Sequence, residues 1–425
     1  MTRNLSVRPD RIAADIEALA EITDPDRPWT RRAFTPRFLQ GRAWVDRAFR
    51  AAGLETRIDA AGNLIGRRAG RREGLGTIVV GSHTDTVPDG GRYDGIAGVV
   101  AGLEIARALA DRGIALDHDL EVIDCLAEEV SIFGVSCIGS RAAAGVLPAA
   151  WLERSAESIT LAEGIASVGG DPGVLESAKR DDISAFLELH IEQGPVLERE
   201  KLDVGIVTAI AGITRIEVEV AGRADHAGTT PMDARADALV AAAGIVLAVR
   251  EIAIDLAGRG DGHFAATVGE FSIEPGAANV VPSSARLLID ARAEARGLME
   301  TFLEALSARC RTAETPGIIV GPPRVLSDNP PTPSDPALLD EITAACDGLD
   351  VRHRRMASGA GHDMAWFARI APAAMVFVPC RGGRSHAPDE WADSDAIALG
   401  AEVLLETILR LDRRASNGGT TWDAS

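Results

Sequence analysis

The chain has 425 residues, with 63 acidic and 44 basic side chains, and therefore a formal net charge of −19 at pH 7. This length suggests two or three domains, and 46% hydrophobic with 25% charged residues is ordinary for a folded soluble protein. The acidic balance argues against binding nucleic acid or an anionic membrane surface, because both favour clustered basic residues. No apolar run reaches the roughly 18 residues of a membrane span, and the charged N-terminus is not typical of a signal peptide.

The cysteines indicate a reducing compartment. They are five in number, widely scattered and without a CxxC pair: Cys125, Cys137, Cys310, Cys346 and Cys380. Such a set favours neither a disulfide framework nor a cysteine zinc site. We therefore expect a cytoplasmic protein.

The first half of the chain alternates predicted strands and helices. Apolar strands are predicted at 76–80, 120–126 and 185–189, with a helix at 96–112. This alternation is typical of an α/β layer whose mainly parallel sheet is flanked by helices.

A different pattern begins near residue 213. Ile216, Val218 and Val220 alternate with polar residues, which predicts a half-exposed antiparallel strand. The elements predicted after it are a helix at 234–253, strands at 263–271 and 285–292, a helix at 296–310 and a strand at 317–320. The order βαββαβ predicts an α+β sandwich of one open antiparallel sheet and two helices.

The segment 327–336 carries four prolines, which we expect to forbid regular structure and to form a linker. After it, a strand at 374–378 and a helix at 395–412 resume the α/β pattern. We therefore predict a discontinuous catalytic domain, 1–212 plus 329–425, and an inserted domain, 213–328.

Polar clusters follow the predicted strands, where sites form in open α/β sheets. His83 follows the first strand, and Asp85 is suited to accept its second ring N–H. Asp94 lies between glycine-rich turns that let the backbone approach an ion. The adjacent carboxylates of Glu128 and Glu129 would repel each other unless they share a cation.

Three further histidines lie in Gly- or Pro-rich segments beside strand ends: His190, His362 and His386. Taken one at a time, these motifs could be capped turns, a solvated helix start or core histidines. Together they predict a metal-dependent hydrolase, because imidazole and carboxylate ligands without thiolate suit Zn²⁺, Mn²⁺ or Co²⁺.

Over essentially the whole chain, these segments resemble the hydantoinase/carbamoylase family of dinuclear metal-dependent amidases. That family includes N-carbamoyl-L-amino-acid hydrolases, allantoate amidohydrolases and ureidopropionases, and is related to aminoacylases and carboxypeptidases. The resemblance implies two divalent ions per subunit, Zn or Mn, with Co or Ni possible in vitro. It implies that His83 and His190 hold one ion, that Glu129 and His386 hold the other, and that Asp94 bridges them. The peptidase relatives carry a carboxylate at the place of His190.

Glu128 has a chemical role in this interpretation. It cannot easily ligate the same ion as its neighbour, so we predict that it is the general base for the attacking water and returns the proton to the leaving amine. The resemblance implies the same role. The alternative is a spare ligand or a structural acid.

The resemblance also implies substrate contacts. His226 would stabilise the oxyanion, and Asn279 and Arg292 would hold the substrate carboxylate. The other implied contacts are Gln193, Gly361 and His362. For Arg292 alone, a surface salt bridge is the simpler interpretation. Relatives often place Arg where this chain has Ile132, in EEVSIFG, so the substrate here could differ.

We predict hydrolysis of the carbamoyl C–N bond of an N-carbamoyl-L-amino acid or a related carboxylated ureido acid. The alternatives are an allantoate amidohydrolase, an N-acyl-amino-acid or dipeptide hydrolase, and a non-catalytic metal-binding scaffold. The resemblance implies a homodimer through the inserted lid and dimerisation domain, with His226 acting in trans. An open sheet edge is commonly paired in this way, and the alternative is a monomer.

Overall fold

The computed structural model describes residues 6–416, with side chains to residue 414. Its helices are α1 (Pro9–Ala20), α2 (Pro36–Ala51), α3 (Ile96–Asp111), α4 (Ile138–Ala143), α5 (Leu161–Ser167), α6 (Val196–Glu200), α7 (Ala238–Gly258), α8 (Arg296–Ala313), α9 (Pro336–Gly348), α10 (Met364–Phe367) and α11 (Ser394–Ser416).

The strands, in chain order, are β1 (Glu55–Ile58), β2 (Leu64–Arg68), β3 (Thr77–His83), β4 (Asp119–Cys125), β5 (Ser155–Ala156), β6 (Ile159–Thr160), β7 (Ile183–Ile191), β8 (Val204–Ile210), β9 (Gly212–Ala221), β10 (Asp225–His226), β11 (Phe264–Glu274), β12 (Val280–Val281), β13 (Ser284–Ala293), β14 (Ile319–Val320), β15 (Arg324–Asn329), β16 (Thr332–Pro333), β17 (His353–Ser358) and β18 (Ala373–Val378).

The chain divides into two compact units. The first takes in the chain up to Thr208, Ser334–Arg355 and the chain from His362, and the second is Ala209–Pro333 with Met356–Gly361. The predicted inserted domain 213–328 lies inside the second unit. Its predicted role as a lid and dimerisation domain stays a prediction.

The first unit is built on a mixed sheet with the order β1-β2-β4-β3-β7-β18-β8. The four central strands, β4, β3, β7 and β18, are parallel, and antiparallel strands flank them. All seven residues of β3 are buried, as expected for a strand in a sheet that helices cover. The predicted mainly parallel sheet flanked by helices is confirmed.

Two strands end later than the sequence predicts, and each extension takes in a histidine. His83 is the last residue of β3 rather than the residue that follows it. His190 lies inside β7, which continues to Ile191. Because β3 runs parallel to both β4 and β7, the carboxyl ends of the three strands lie at one edge of the sheet.

The second unit contains an antiparallel sheet in the order β11-β13-β9, with β14 and β15 both pairing with β9. Ile216, Val218 and Val220 point into its core, as their alternation predicts, and pack in one apolar cluster with residues of α7 and α8. This separate α+β unit agrees with the predicted open sheet and two helices.

Two predictions in the second unit are wrong. Helix α7 begins at Ala238 rather than 234, because the Asp237 side chain caps it by accepting the N–H groups of Leu239 and Val240. The proline segment does contain regular structure. Strand β15 pairs with β9 up to Asn329, and β16 pairs with β8. Proline is tolerated in such short edge strands, where its missing N–H costs no ladder bond.

Among the described residues, no helix is both long and apolar enough to cross a membrane. All five cysteines are buried free thiols.

Candidate metal centre

Five side chains predicted as ligands come together at the carboxyl edge of the central sheet. They form two groups that share one carboxylate: His83, Asp94 and His190, and Asp94, Glu129 and His386. Within each group the ligand atoms lie within 4.8 Å of one another. The parallel strands supply this convergence, because His83 and His190 lie in β3 and β7, and Glu129 lies in the loop that follows their neighbour β4.

The two carboxylate oxygens of Asp94 lie near different members of the cluster. Its Oδ1 lies 3.1 Å from Nε2 of His190 and 3.7 Å from Nε2 of His83. Its Oδ2 lies 3.0 Å from Nε2 of His386, and the same nitrogen lies 3.0 Å from Oε1 of Glu129. The two oxygens of one carboxylate therefore face two separate groups of donors.

In their neutral form, the two buried histidines present an unprotonated nitrogen to the cluster. Nδ1 of His83 lies 3.0 Å from the carbonyl oxygen of Asp85, and Nδ1 of His190 lies 2.9 Å from that of Ile191. A carbonyl only accepts, so each ring carries its proton on Nδ1. The Gly95 N–H donates to Nε2 of His190, which agrees with a lone pair there. This is the tautomer that a metal ligand requires.

Asp85 contacts both the histidine ring and the neighbouring loop. Its backbone carbonyl accepts the Nδ1–H of His83, and its carboxylate, which was predicted to accept this N–H, has Oδ1 3.5 Å from the same nitrogen. The carboxylate also accepts the backbone N–H groups of Glu128 and Glu129, at 3.2 Å each. Asp85 thus fixes the backbone of the residues that carry the paired carboxylates.

The charges of the cluster favour a cation. Hydrogen bonds to Asp94 and Glu129 raise the pKa of His386 to about 10. Burial lowers the pKa of His190, but the hydrogen bond to Asp94, together with the negative charges of Asp94 and Glu188, raises this pKa overall. The two imidazoles therefore bind protons that offset the negative charge of the neighbouring carboxylates, and bound cations would offset the same charge. The imidazole and carboxylate donors fit a pair of divalent cations such as Zn²⁺ or Mn²⁺.

Glu128 lies beside the cluster and belongs to neither ligand group. Its Oε2 is 3.6 Å from Nε2 of His83, and its Oε1 is 3.6 Å from Sγ of Cys137. Burial, reinforced by the neighbouring charge of Glu129, raises the pKa of Glu128 well above its usual range. A carboxylate in this position can accept a proton and hold it.

Two residues that the sequence analysis missed contact Asp94. Ser385 Oγ donates to Oδ2 of Asp94, at 2.9 Å. Glu390 Oε1 accepts the backbone N–H groups of Tyr93 and Asp94, at 2.8 and 3.1 Å. Both residues lie in RSHAPDEW around His386, so the motif pointed to this region although only its histidine was singled out.

The predicted substrate contacts of the first unit lie close to the ligands. Gln193 Nε2 donates to Oδ2 of Asp94, at 2.8 Å. His362 is buried, and its ring packs edge-on against His190 with 4.5 Å between centroids. Burial lowers the pKa of His362 well below its usual value, so the ring is neutral. Gly361 is exposed and belongs to the second unit.

In the second unit, His226 has the opposite tautomer. Its Nδ1 accepts the backbone N–H groups of Gly228 and Thr229, at 3.0 and 3.2 Å, so the proton lies on Nε2. The ring is exposed. Strand pairing of β10 with β12 places Asn279 nearby, where its carbonyl accepts the N–H of Ala227 at 3.0 Å.

Arg292 lies near the end of β13 and makes local bonds. Its Nε donates to Oδ1 of Asp290, at 2.9 Å, and an Nη donates to the carbonyl of Gly359, at 2.6 Å. Its predicted role as a carboxylate clamp stays a prediction. Ile132 packs against a cluster of apolar residues that includes Phe133.

A mainly parallel sheet with a shared-carboxylate ligand cluster at its carboxyl edge, together with a separate α+β unit, defines a metallohydrolase of the α/β class. The chain belongs to the Peptidase family M20/M25/M40, whose sequence profile matches residues 79–410.

Its relatives include amidohydrolases. The chain is 38% identical over 408 residues to an N-carbamoyl-L-amino-acid amidohydrolase of Paenarthrobacter aurescens. The alignment covers 95% of this chain and 98% of the relative. It is 35% identical over 418 residues to an allantoate amidohydrolase of Bacillus subtilis, covering 96% and 99% of the two chains. A solved amidase of the hydantoinase/carbamoylase family from Burkholderia multivorans is 34% identical, covers 95% of this chain and 98% of its own, and superimposes with a TM-score of 0.85.

Proposed function

We propose that this protein is a metal-dependent amidohydrolase that cleaves the carbamoyl C–N bond of an N-carbamoyl-L-amino acid or a related ureido acid. The observation that carries the proposal is the Asp94-bridged ligand cluster. It occurs in a chain that aligns over 95% of its length with a relative named N-carbamoyl-L-amino-acid amidohydrolase.

Two bound divalent cations would supply positive charge that polarises the scissile carbonyl and favours deprotonation of the attacking water. His83, His190, Glu129 and His386 would hold them, with Asp94 shared. Glu128 would take the proton from the water and deliver it to the leaving nitrogen. Its burial and its position outside both ligand groups support this role.

His226 would donate from Nε2 to the oxyanion that develops at the carbonyl oxygen. The tautomer set by Gly228 and Thr229 supports this role, because it leaves an N–H on the exposed side of the ring. Arg292 and Asn279 would hold the substrate carboxylate.

Gln193, Gly361 and His362 would complete the substrate contacts. Among the described residues, Oε1 of Gln193 is buried without a hydrogen-bond partner. This atom could accept an N–H of a ureido group, which supports the assignment of Gln193.

A second candidate is allantoate, which carries two ureido groups. The 35% identity to an allantoate amidohydrolase favours it. Ile132 weighs against it, because the family resemblance implies an arginine at this position, whereas Ile132 packs against apolar residues and offers no charge.

We also propose a homodimer formed through the second unit, with His226 acting in the partner's site. Val240, Leu247 and Ile254 are spaced seven residues apart on α7 and are 67%, 62% and 55% exposed, which gives the helix an apolar stripe. Strand β11 is an edge of its sheet in the described chain. An apolar stripe and a sheet edge in one unit support pairing across a two-fold axis. The buried free thiols support a cytoplasmic location.

A substrate panel tests the function. The purified protein is incubated with N-carbamoyl-L-amino acids, with allantoate, and with dipeptides and N-acyl-amino acids. Ammonia release is measured for the ureido substrates and amine release for the others. We expect ammonia from N-carbamoyl-L-amino acids at the highest kcat/KM. Faster release of amine from dipeptides would contradict the proposal.

A further inference from the structure

We infer that Glu390 is a positioning residue that acts through Ser385 to hold Asp94 in its bridging orientation, and thereby maintains the cation site at Glu129 and His386. The inference rests on the proposed dinuclear function. It concerns two residues that ligate nothing themselves.

Glu390 is anchored on both sides of its carboxylate. The side chain is 1% exposed, and its Oε1 accepts the backbone N–H groups of Tyr93 and Asp94. Its Oε2 lies 2.8 Å from Ser385 Oγ, whose single hydroxyl proton is shared between this oxygen and Oδ2 of Asp94. Glu390 therefore binds both the backbone of Asp94 and Ser385, the serine that contacts the Asp94 carboxylate.

The chain makes room for this carboxylate with a glycine. A Cβ placed on Gly91 would lie 1.9 Å from the carboxyl carbon of Glu390. Any other residue at 91 would therefore displace Glu390 or the turn that carries Asp94. The close approach at Gly91 matches a turn shaped around the Glu390 carboxylate.

The contacts on Asp94 are one-sided. Ser385 and Gln193 both donate to Oδ2, at 2.9 and 2.8 Å, and this is the oxygen that faces His386. Oδ1 faces His190 and His83 instead. Donors on one oxygen fix the rotation of the carboxylate group, so that each oxygen stays with its own donor group.

Loss of the hydrogen bonds that fix the Asp94 carboxylate should affect the two cation sites unequally. The site at His83 and His190 has two buried imidazoles, whereas the other has only His386, whose side chain is 49% exposed. If Asp94 rotates, each site loses one of its three donors, but the first site keeps two buried imidazoles, whereas the second keeps only Glu129 and the half-exposed His386. A residue that merely stabilised the loop would not select one site.

The experiment measures cation binding in four variants of the full chain: Glu390→Ala, Glu390→Gln, Ser385→Ala and the control Glu402→Ala. Glu402 is a matched control, because its buried carboxylate also accepts two backbone N–H groups, from Ser6 and Val7, and none from the cluster. Metal-depleted protein is titrated with Co²⁺, and the stoichiometry, the two dissociation constants and the visible spectrum are recorded, together with the Tm.

Wild type and Glu402→Ala should bind two Co²⁺ ions alike, even if the control has a lower Tm. Ser385→Ala and Glu390→Ala should retain the first ion and bind the second about 10- to 100-fold more weakly. Glu390→Gln should restore the second site, because the amide oxygen can accept both backbone N–H groups and the amide nitrogen can donate to Ser385.

Equal binding of both ions in wild type and Ser385→Ala would overturn the inference, and so would equal weakening of both sites in the Glu390 variants. Either result would leave the proposed function intact. A wild-type protein that binds no second ion would instead contradict the dinuclear proposal itself.

Discussion

At the scale of single residues, the position of Glu128 separates proton transfer from metal binding. Its carboxylate lies 3.6 Å from the His83 ring but outside both ligand groups. We expect Glu128→Gln to retain both cations and to lower kcat by about 10²- to 10⁴-fold, since the amide cannot accept the proton. Ammonia release and metal content measured on the same sample check this. The control is Glu163→Gln, which changes an exposed capping glutamate on α5. Near-normal turnover of Glu128→Gln would rule out the general-base role.

Arg292 tests the carboxylate clamp. Lysine keeps the charge but loses the planar fork that binds a carboxylate through two hydrogen bonds. We expect Arg292→Lys to raise KM for carboxylated substrates about tenfold or more and to change kcat less. Arg286→Lys is the matched control, because Arg286 lies on the same strand and binds Glu217. An unchanged KM for Arg292→Lys would refute the clamp.

The residue types of the cluster could be predicted from the sequence, but their hydrogen bonds could not. A histidine beside a strand end indicates a candidate metal ligand. Which nitrogen of His83 carries the proton, however, depends on the Asp85 carbonyl, and a backbone carbonyl has no sequence signature. Glu390 was missed for a related reason. Its partners are the backbone N–H groups of Tyr93 and Asp94, almost 300 residues earlier in the chain, and any residue type except proline provides such donors.

At the scale of elements, Asp85 ties the end of β3 to the loop after β4. Its two carboxylate oxygens each accept one backbone N–H, from Glu128 and Glu129. In Asp85→Asn, one acceptor becomes an NH₂ donor that faces an N–H. We expect this loop to shift and kcat or metal affinity to fall about 10- to 100-fold.

Asp237→Asn is the control for this prediction. One oxygen of Asp237 accepts both N–H groups at the start of α7, so asparagine can keep both bonds. Kinetics and Co²⁺ titration of the two variants are compared. Equal, wild-type values for both would show that Asp85 does not position the glutamates.

Most elements could be predicted from apolar periodicity, and the errors have local causes. The pattern of α7 extends back to 234, but the Asp237 cap decides where the helix begins. Prolines at 330, 331 and 333 suggested a linker, yet strand β15 ends at Asn329, and β16 uses Pro333 at a sheet edge. Strand pairing between distant segments is not visible in the local composition.

At the scale of the whole molecule, the central question is whether His226 serves its own subunit or its partner. We expect that mixing Glu128→Gln with His226→Ala under subunit exchange restores a fraction of wild-type activity, because some heterodimers would contain one complete site. Adding Leu247→Glu to both variants should abolish the recovery, since it places a charge in the exposed stripe of α7. Exchange is verified with differently tagged subunits. If exchange occurs without recovery, each subunit supplies its own His226.

The most direct test of the account is the dependence of ureido hydrolysis on bound cations. Protein depleted with a chelator is titrated with Zn²⁺, Mn²⁺ or Co²⁺ while ammonia release from an N-carbamoyl-L-amino acid is followed. We predict no turnover without metal and full turnover only as the second equivalent binds, with Glu128→Gln inactive at the same occupancy. Full ammonia release by the metal-free protein, or none at two equivalents of every cation, would contradict the account.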